Sequence, residues 1–541
     1  MFRKSFRTIG GLDSILVNSL LRRLLSEAPS FGKATQLHTD APATPAPERA
    51  RQLHDVFHLR WLGTIGSILI LVGALGAGAL PVVNNPYFDV PGGALFSRML
   101  HTSTAMVFVG VGFLVVAWML LAPHVGAPLR KNAALHSISV PQLWRIWLSW
   151  VIPLVFAAPL FTQDIYSYLA QGSVVAHGMD PYAAGPVELL GADNDLARSV
   201  PFIWANSPSP YGPVALGIAA AISRVTGDSI LWGVLLHRLC ALLALVGAGW
   251  AITHLARRCR VQPVAALWLG LLNPLTLLHL VGGIHNESVL LGLLLVGLEL
   301  GLRGKWSLFL VSGALIACAG AVKVTGFIAL GFTGMALARE LRTRTRWAIP
   351  IAIFVQLAIL FVTLAAVTWL TGIPLGWVSG QGGAVTVRSW LSSSTAIGVG
   401  AGSIGMLLGL GDHTEAMLTL TRGAGVAVAG VFMVYMLWNT YKDRIHPVGA
   451  LGVSTLVLVV LFPVVHPWYI LWAVLPLSAW ANRLFFRVPV VAYSAFMAFV
   501  VLPRGSSLPP SSVVVVYALT VVFLLATLAV ALLYWRRSGL H

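Results

Sequence analysis

The chain has 541 residues, 57% of them hydrophobic and only 10% charged, whereas soluble domains carry about 25% charged residues. A soluble globular protein is thereby excluded and a polytopic membrane protein is expected. The net charge of +17 sits in short basic clusters between apolar runs, which points to cytoplasmic loops and anionic headgroups in the lipid bilayer and away from nucleic acid. Cys240 and Cys318 lie in apolar runs and Cys259 in a basic loop, so no disulfide framework is expected. Cys/His spacing of the metal-binding kind is absent.

Residues 1–60 read as a cytoplasmic N-terminal tail without a cleavable signal peptide. Residues 4–25 form either a surface amphipathic helix or part of a disordered tail, and 41–47 read as an extended linker. Spans of about 20 apolar residues, oriented by basic loops, are then expected at 61–80 (outward), 102–121 (inward, to Arg130, Lys131 and Arg145) and 147–161 (outward). This delivers Asp164 to the extracytoplasmic side. Residues 212–225 are apolar but short. As a span they would put Arg257-Arg258-Cys259-Arg260 outside, so an interfacial or re-entrant helix is expected there. Residues 230–255 run inward, 264–281 outward to His285-Asn286-Glu287, 288–302 inward to Arg303 and Lys305, 306–321 outward to Lys323, and 324–338 inward to Arg339, Arg342, Arg344 and Arg346. Residues 348–370 exit into a Gly- and Ser-rich segment, 371–420, holding Gln381, Arg388, Trp390 and an apolar piece, 397–410, expected to be re-entrant. Residues 423–438 enter to Lys442 and Arg444, and 447–465 exit to His466-Pro467-Trp468-Tyr469. Residues 470–480 enter to Arg483 and Arg487, 488–502 exit to Arg504, and 513–534 enter to Arg536 and Arg537. The expected fold is an all-α polytopic membrane protein of about fourteen transmembrane helices. Its domain spans 61–541, both termini are cytoplasmic, and a large extracytoplasmic loop, 162–228, carries short amphipathic helices.

Asp164, His285-Asn286-Glu287, Lys323, His466-Trp468-Tyr469 and Arg504 all fall on one face of the membrane in this topology, and polar groups at membrane depth cluster and pair. Asp164 opens the stretch Asp164-Ile165-Tyr166-Ser167-Tyr168-Leu169-Ala170-Gln171-Gly172. Asp164, Tyr168 and Gln171 share a helix face by i+4 and i+3 steps. Turns follow at Gly178-Met179-Asp180-Pro181-Tyr182 and at Ser207-Pro208-Ser209-Pro210-Tyr211-Gly212-Pro213. A carboxylate at the mouth of a membrane helix needs water or a partner; it reads as a catalytic base, with helix capping as the structural alternative. Asn286 and Glu287 could equally complement a helix N-terminus. Lys323 could be a snorkelling lysine, Arg504 a stray outside arginine, and His466 part of an aromatic belt. Arg238, inside an apolar run, needs an anion or a structural carboxylate such as Glu287.

These motifs, taken in order, resemble the GT-C glycosyltransferases. The Asp-Ile-Tyr-Ser-Tyr stretch with Gly-Met-Asp-Pro-Tyr and Tyr-Gly-Pro is similar to their first periplasmic loop. Asn273-Pro274 with Gly283-Ile284-His285-Asn286-Glu287, Ala319-Gly320-Ala321-Val322-Lys323-Val324-Thr325, and His466-Pro467-Trp468-Tyr469 are similar to three further elements. The resemblance runs from about residue 60 to the C-terminus and is strongest to actinobacterial polyprenol-phosphomannose-dependent α-(1→6)-mannosyltransferases of lipomannan and lipoarabinomannan synthesis, the B type before the A type. One departure is two spans before the Asp164 loop where the minimal pattern has one. The resemblance implies a GT-C fold at the plasma membrane and an inverting transfer of mannose from polyprenyl-phosphate-mannose to a mannosylated lipid acceptor. It implies Asp164 as general base, with Tyr166, Tyr168, Gln171, Tyr211, His285, Asn286, Glu287, Trp468 and Tyr469 around the sugars. Lys323, Arg504, His466 and Arg238 are then the donor-phosphate candidates. No cofactor is expected; a divalent metal between Asp164 and Glu287 is the weaker expectation. A decaprenyl-phosphoryl-arabinose donor is the alternative within enzymes, and a flippase or transporter of lipid-linked sugars the alternative outside them. The lack of an inverted repeat and the one-sided large loop favour an enzyme.

Overall fold

The structure, a computed structural model, describes residues 46–129, 138–378, 388–389, 391–481 and 483–505, together with 515, 518 and 522. The expected features at 4–25 and most of 41–47, the loop residues Arg130 and Lys131, Gln381 and Trp390, and nearly all of the last span, 513–534, with Arg536 and Arg537, lie outside the described residues. Among the described residues there is no strand. The helices are α1 (Ala46–Ala77), α2 (Leu100–Leu121), α3 (Val140–Phe156), α4 (Asp164–Ala176), α5 (Pro213–Thr226), α6 (Ile230–Arg258), α7 (Pro263–Gly270), α8 (Glu287–Gly301) and α9 (Trp306–Gly320). They continue with α10 (Ile328–Leu341), α11 (Ala348–Thr371), α12 (Ser393–Leu407), α13 (Thr414–Tyr441), α14 (Pro447–Leu461), α15 (Leu471–Ser478) and α16 (Leu484–Val500).

The chain is a multi-pass membrane protein. Among the described residues six helices are long and apolar enough to cross a bilayer, or seven if one bent pair is a single span. The other apolar helices, α3, α5, α9, α14, α16 and the Pro467–Ser478 stretch, are shorter than that. Pro153, Pro476 and Pro489 sit inside α3, α15 and α16, where each removes a helix hydrogen bond. One expectation was too short. Residues 423–438 are the middle of the 28-residue α13. In its first turns Arg422 Nε donates to Thr395 Oγ1 at 2.9 Å, so this charge is paired within the protein.

Close helix packing depends on missing side chains. A Cβ on Gly66 of α1 would lie 2.6 Å from the Gly110 carbonyl oxygen of α2, and one on Gly110 would lie 2.5 Å from that of Gly66. Small residues on both helices let the backbones touch where apolar burial gives no drive between lipid-solvated helices. α2 is tied to α7 by a reciprocal pair. The Trp118 and Trp268 indoles stack at 5.1 Å, and each Nε1 donates to the other's backbone carbonyl, at 2.9 and 2.8 Å. α11 stands at the periphery, with Phe354, Phe361 and Trp369 73%, 74% and 83% exposed, as a helix facing hydrocarbon should be.

Two features position the site. The expected outward span at 264–281 is broken. Pro274 interrupts α7, the freed Leu275 N–H is taken by Asn273 Oδ1 at 2.9 Å, and a π-helical turn follows at Thr276–Gly282. Between that turn and α8 the chain bends by 112°, so His285 and Glu287 sit at a sharp reversal. The second is the stretch 162–228, which carries α4, three single-turn helices and α5. α4 is not amphipathic: every residue from Ile165 to Val175 is buried.

Candidate active site

Arg238 of α6 builds the site's frame. Its side chain is 1% exposed. It donates to the carbonyls of Val155 (2.6 Å) and Ala157 (2.8 Å), at the end of α3, and to those of Val281 (3.1 Å) and Gly282 (3.4 Å), at the end of the π-turn. A cation thus caps two helix C-termini at once, where the orphan carbonyls and the negative dipole ends favour it. The two chains leaving those termini run side by side, with Leu160 N–H bonded to the Gly282 carbonyl at 3.2 Å. One leads to Asp164 and the other to His285. Both pass through left-handed backbone at a non-glycine residue, Phe161 (φ 64°) and Ile284 (φ 57°), each costing about 1–3 kcal/mol.

Asp164 is the first residue of α4. Gln163 holds the N-cap position without a capping side-chain bond, and the Asp164 N–H is bonded by Thr162 Oγ1 at 3.1 Å. The carboxylate is not a helix cap. It faces His285 Nδ1 at 3.4 Å, with 28% of the side chain exposed. Burial works against its charge, but the hydrogen bond and charge of His285, then His466 and Thr162, hold the carboxyl below the usual carboxylate range. Burial pushes the His466 imidazole down to about 4, leaving it neutral at physiological pH. His285, His466 and His279 stack on the Trp468 indole at centroid distances of 4.0, 4.7 and 4.9 Å.

Lys323 forms the second half of the site. Its ammonium donates to Glu287 Oε1 at 2.8 Å and to the Tyr469 hydroxyl at 2.9 Å, and lies 4.3 Å from the Tyr469 ring centroid and 5.1 Å from that of Trp472. An ammonium has three donors, so one remains, and the side chain is 24% exposed. The Tyr211 turn is docked against this lysine's turn, with Val214 N–H on the Ala321 carbonyl at 3.2 Å. Gly212 is required there because a Cβ would lie 2.2 Å from that same oxygen. Tyr211 meets Tyr168 edge to face at 5.2 Å, and the charges of Asp164, Lys323 and Glu287 all act on its phenol. Arg504 is exposed on a loop pinned beside Asp164: Phe161 N–H donates to the Pro503 carbonyl at 2.7 Å.

The structure therefore gathers Asp164, Tyr168, Tyr211, His285, Glu287, Lys323, His466, Trp468 and Tyr469, with Arg504 on the adjoining loop. Three expected contacts are turned elsewhere. Arg238 donates to four backbone carbonyls, and Glu287 pairs instead with Lys323. Tyr166, 1% exposed, donates to the Ala79 carbonyl at 2.5 Å; two residues past Asp164 on a helix it points away from it. Gln171 is buried and accepts from Ser209 Oγ at 2.9 Å, fixing the Tyr211 turn from below. Asp164 faces His285 and Glu287 faces Lys323. Asn286 makes no capping bond at the start of α8. It lies beneath α5, beside Ile218, His237, Cys240 and Val322. His279 was missed: it lies in an apolar run with no motif around it, and only the π-turn places it between Phe161 (5.6 Å) and Trp468.

A family described as "Alpha-(1->6)-mannopyranosyltransferase, N-terminal domain" matches residues 60–339, and one described as "MptB C-terminal domain" matches 394–529. The chain is 61% identical to alpha-(1->6)-mannopyranosyltransferase B of Corynebacterium glutamicum, over 87% of its own length and 80% of the relative's. It is 32% identical to alpha-(1->6)-mannopyranosyltransferase A of Mycobacterium tuberculosis, over 82% and 84% of the two chains. Among solved structures, the Archaeoglobus fulgidus oligosaccharyltransferase aligns with 75% of this chain and 53% of its own at 14% identity and a TM-score of 0.33, too distant to carry an argument. The class is a multi-pass membrane mannosyltransferase, not a transporter or an arabinosyltransferase. The chain belongs to the α-(1→6)-mannopyranosyltransferase family and is of its B type. The gathered residues come from both matched regions, Asp164 to Lys323 from the first and His466 to Arg504 from the second.

Two outcomes are expected. Arg238→Met leaves four buried carbonyls without their donor, at about 1–3 kcal/mol each before relaxation. Its thermal midpoint in detergent should fall by several degrees without a selective rise in KM for the lipid donor, which loss of a phosphate contact would produce. His285→Ala removes groups that favour the charged form of Asp164, so the carboxyl pKa rises. The acid limb of the kcat/KM profile should then move to higher pH in a pH-rate titration.

Proposed function

We propose that this enzyme moves mannose from polyprenyl-phosphate-mannose to the 6-hydroxyl of an α-(1→6)-mannan chain on a lipid anchor, with Asp164 as general base, in the backbone synthesis of lipomannan and lipoarabinomannan. The observation that carries the reading is Asp164 itself, an ionised, partly exposed carboxylate held by His285 at 3.4 Å. In one displacement the acceptor oxygen bonds to C1 while its proton passes to Asp164. The C1–O bond to the phosphate breaks, and the polyprenyl phosphate leaves with the bonding pair. Attack opposite the leaving group inverts a β-linked donor to an α-linkage. General-base assistance of this kind contributes about 10²–10⁴-fold. Lys323 and Arg504 supply the cations for the leaving phosphate, while Tyr168, Tyr211, Trp468, Tyr469 and neutral His466 offer rings and hydrogen bonds to the sugars. No metal is required in this scheme.

The site opens at the extracytoplasmic face, and both termini are cytoplasmic, with about fourteen spans if the short helices also cross. Support comes from α6. It leaves the site end at Ile230 and runs 29 residues, about 43 Å at 1.5 Å per residue, to Arg257 and Arg258. There Arg258 and Arg303 flank Glu299 at 3.2 Å each. Basic clusters mark the inside.

Asp164→Asn should lower mannosyl transfer from polyprenyl-phosphate-mannose by at least about 10²-fold, with an unchanged melting profile in detergent. Wild-type turnover in that variant would exclude the base. A cysteine replacing exposed Asp193 should react with a membrane-impermeant thiol reagent added to intact cells, and labelling only after permeabilisation would reverse the orientation.

A further inference from the structure

The loop carrying His466, Trp468 and Tyr469 leaves α14 at Leu461 and contains Pro463 and Pro467. Its carbonyls and those of the last turn of α14 have no helical partner, and at the end of an apolar helix water is scarce. Four hydroxyls from one short stretch of chain satisfy them. Ser389 donates to the Val465 carbonyl, Ser392 to Phe462 at 2.7 Å, Ser393 to Val460, and Thr395 to Pro463 at 2.7 Å. Ser392 and Thr395 are 0% and 3% exposed. Ser392 Oγ also accepts the Thr395 N–H at 3.1 Å, so the start of α12 and the loop are built on the same hydroxyl. Thr395 Oγ1 takes a further bond from Arg422 Nε of α13 at 2.9 Å. α13 comes close enough because its Gly425 has no side chain: a Cβ there would lie 2.7 Å from the Leu461 carbonyl oxygen. On the far side the loop is held by Tyr493, whose hydroxyl donates to the Pro467 carbonyl at 3.1 Å.

We propose that Ser392 and Thr395, with Ser389 and Ser393, are positioning residues for the transfer reaction: a hydroxyl strap that sets the 462–469 loop so that His466 and Trp468 meet Asp164 and His285, and Tyr469 meets Lys323. The inference rests on the proposed function, because it takes that loop to border the reacting groups. None of the four touches a reacting group in this arrangement. They act through the loop, and their geometry is the reason for the assignment. A hydroxyl bonded to a carbonyl fixes direction as well as distance, which apolar packing of the same volume does not. Displacing a site-bearing loop by even about 1 Å can cost 10²-fold in rate.

The test compares Thr395→Val, which keeps the side-chain shape and loses the hydroxyl, with Thr395→Ser, which keeps the hydroxyl, and with the Ser392→Ala/Thr395→Val pair. Each is measured for kcat and KM with polyprenyl-phosphate-mannose, alone and in a His466→Ala background. The expected result is a kcat lowered by about tenfold or more in the valine variant, a donor KM within about threefold of wild type, and recovery in the serine variant. In the His466→Ala background the valine substitution should cost much less than it does alone, because contacts in one network are non-additive. Wild-type kcat in Thr395→Val would overturn the proposal, and so would no recovery in Thr395→Ser or full additivity with His466→Ala. Should the double variant fail to fold, the single valine variant carries the same comparison. If Asp164→Asn also retained transfer, the fault would lie with the proposed function. If only the strap variants did, it would lie with the strap.

Discussion

The site depends on one buried cation. Arg238 receives no carboxylate among its hydrogen-bond partners and instead draws together the carbonyl ends of α3 and the π-turn, four bonds from one guanidinium. Taking that charge out of water is costly unless every donor is placed, so the two helix ends must converge on it from separate parts of the chain. Their convergence puts Asp164 opposite His285. An arginine is suited to this because its planar fork addresses several acceptors at fixed angles, which a lysine does not.

Strain sits immediately beyond that clamp. Phe161 and Ile284 both adopt left-handed backbone, a conformation poor for an aromatic and poorer for a β-branched residue. They stand three residues before Asp164 and one before His285. Such turns persist when the surroundings over-determine them. Here the surroundings are the Phe161–Pro503 backbone bond, the Tyr166 anchor on Ala79 and the ring stack of His279, His285 and Trp468. The candidate site is closely packed, and Lys323 and Asp164 keep 24% and 28% of their side chains exposed in it.

The charges are sorted into two pairs. Asp164 meets the His285 imidazole, whose hydrogen bond favours the carboxylate form, as the proposed role of proton acceptor requires. Glu287 meets the Lys323 ammonium directly at 2.8 Å, the cation proposed for the leaving phosphate. Tyr211 stands close enough to both pairs for the charges of Asp164, Lys323 and Glu287 to act on its phenol.

Much of this was legible from residue order. Apolar runs about 20 residues long must be helices in a bilayer, because nothing else satisfies the backbone there, and the odd polar residues Asp164, His285, Glu287, Lys323 and His466 stand out against such runs. Their motif order pointed to the mannosyltransferase family before any geometry. What sequence could not decide was which polar residue faces which. Arg238 looked like an anion site because a lone cation in an apolar run has no visible partner; its partners are backbone carbonyls, which every residue has and no sequence marks. Tyr166 and Gln171 looked like site residues because their neighbours are, yet a helix buried all round turns some of them inward. His279 and the strap hydroxyls of Ser392 and Thr395 looked like nothing, because their importance comes from contacts with residues 466–468 and 460–465, far along the chain. Composition and periodicity determined the membrane class, the helices and the candidate base. The tertiary fold alone decided the pairings, since those depend on where the chain bends: at the break after Asn273, at Phe161 and at Ile284.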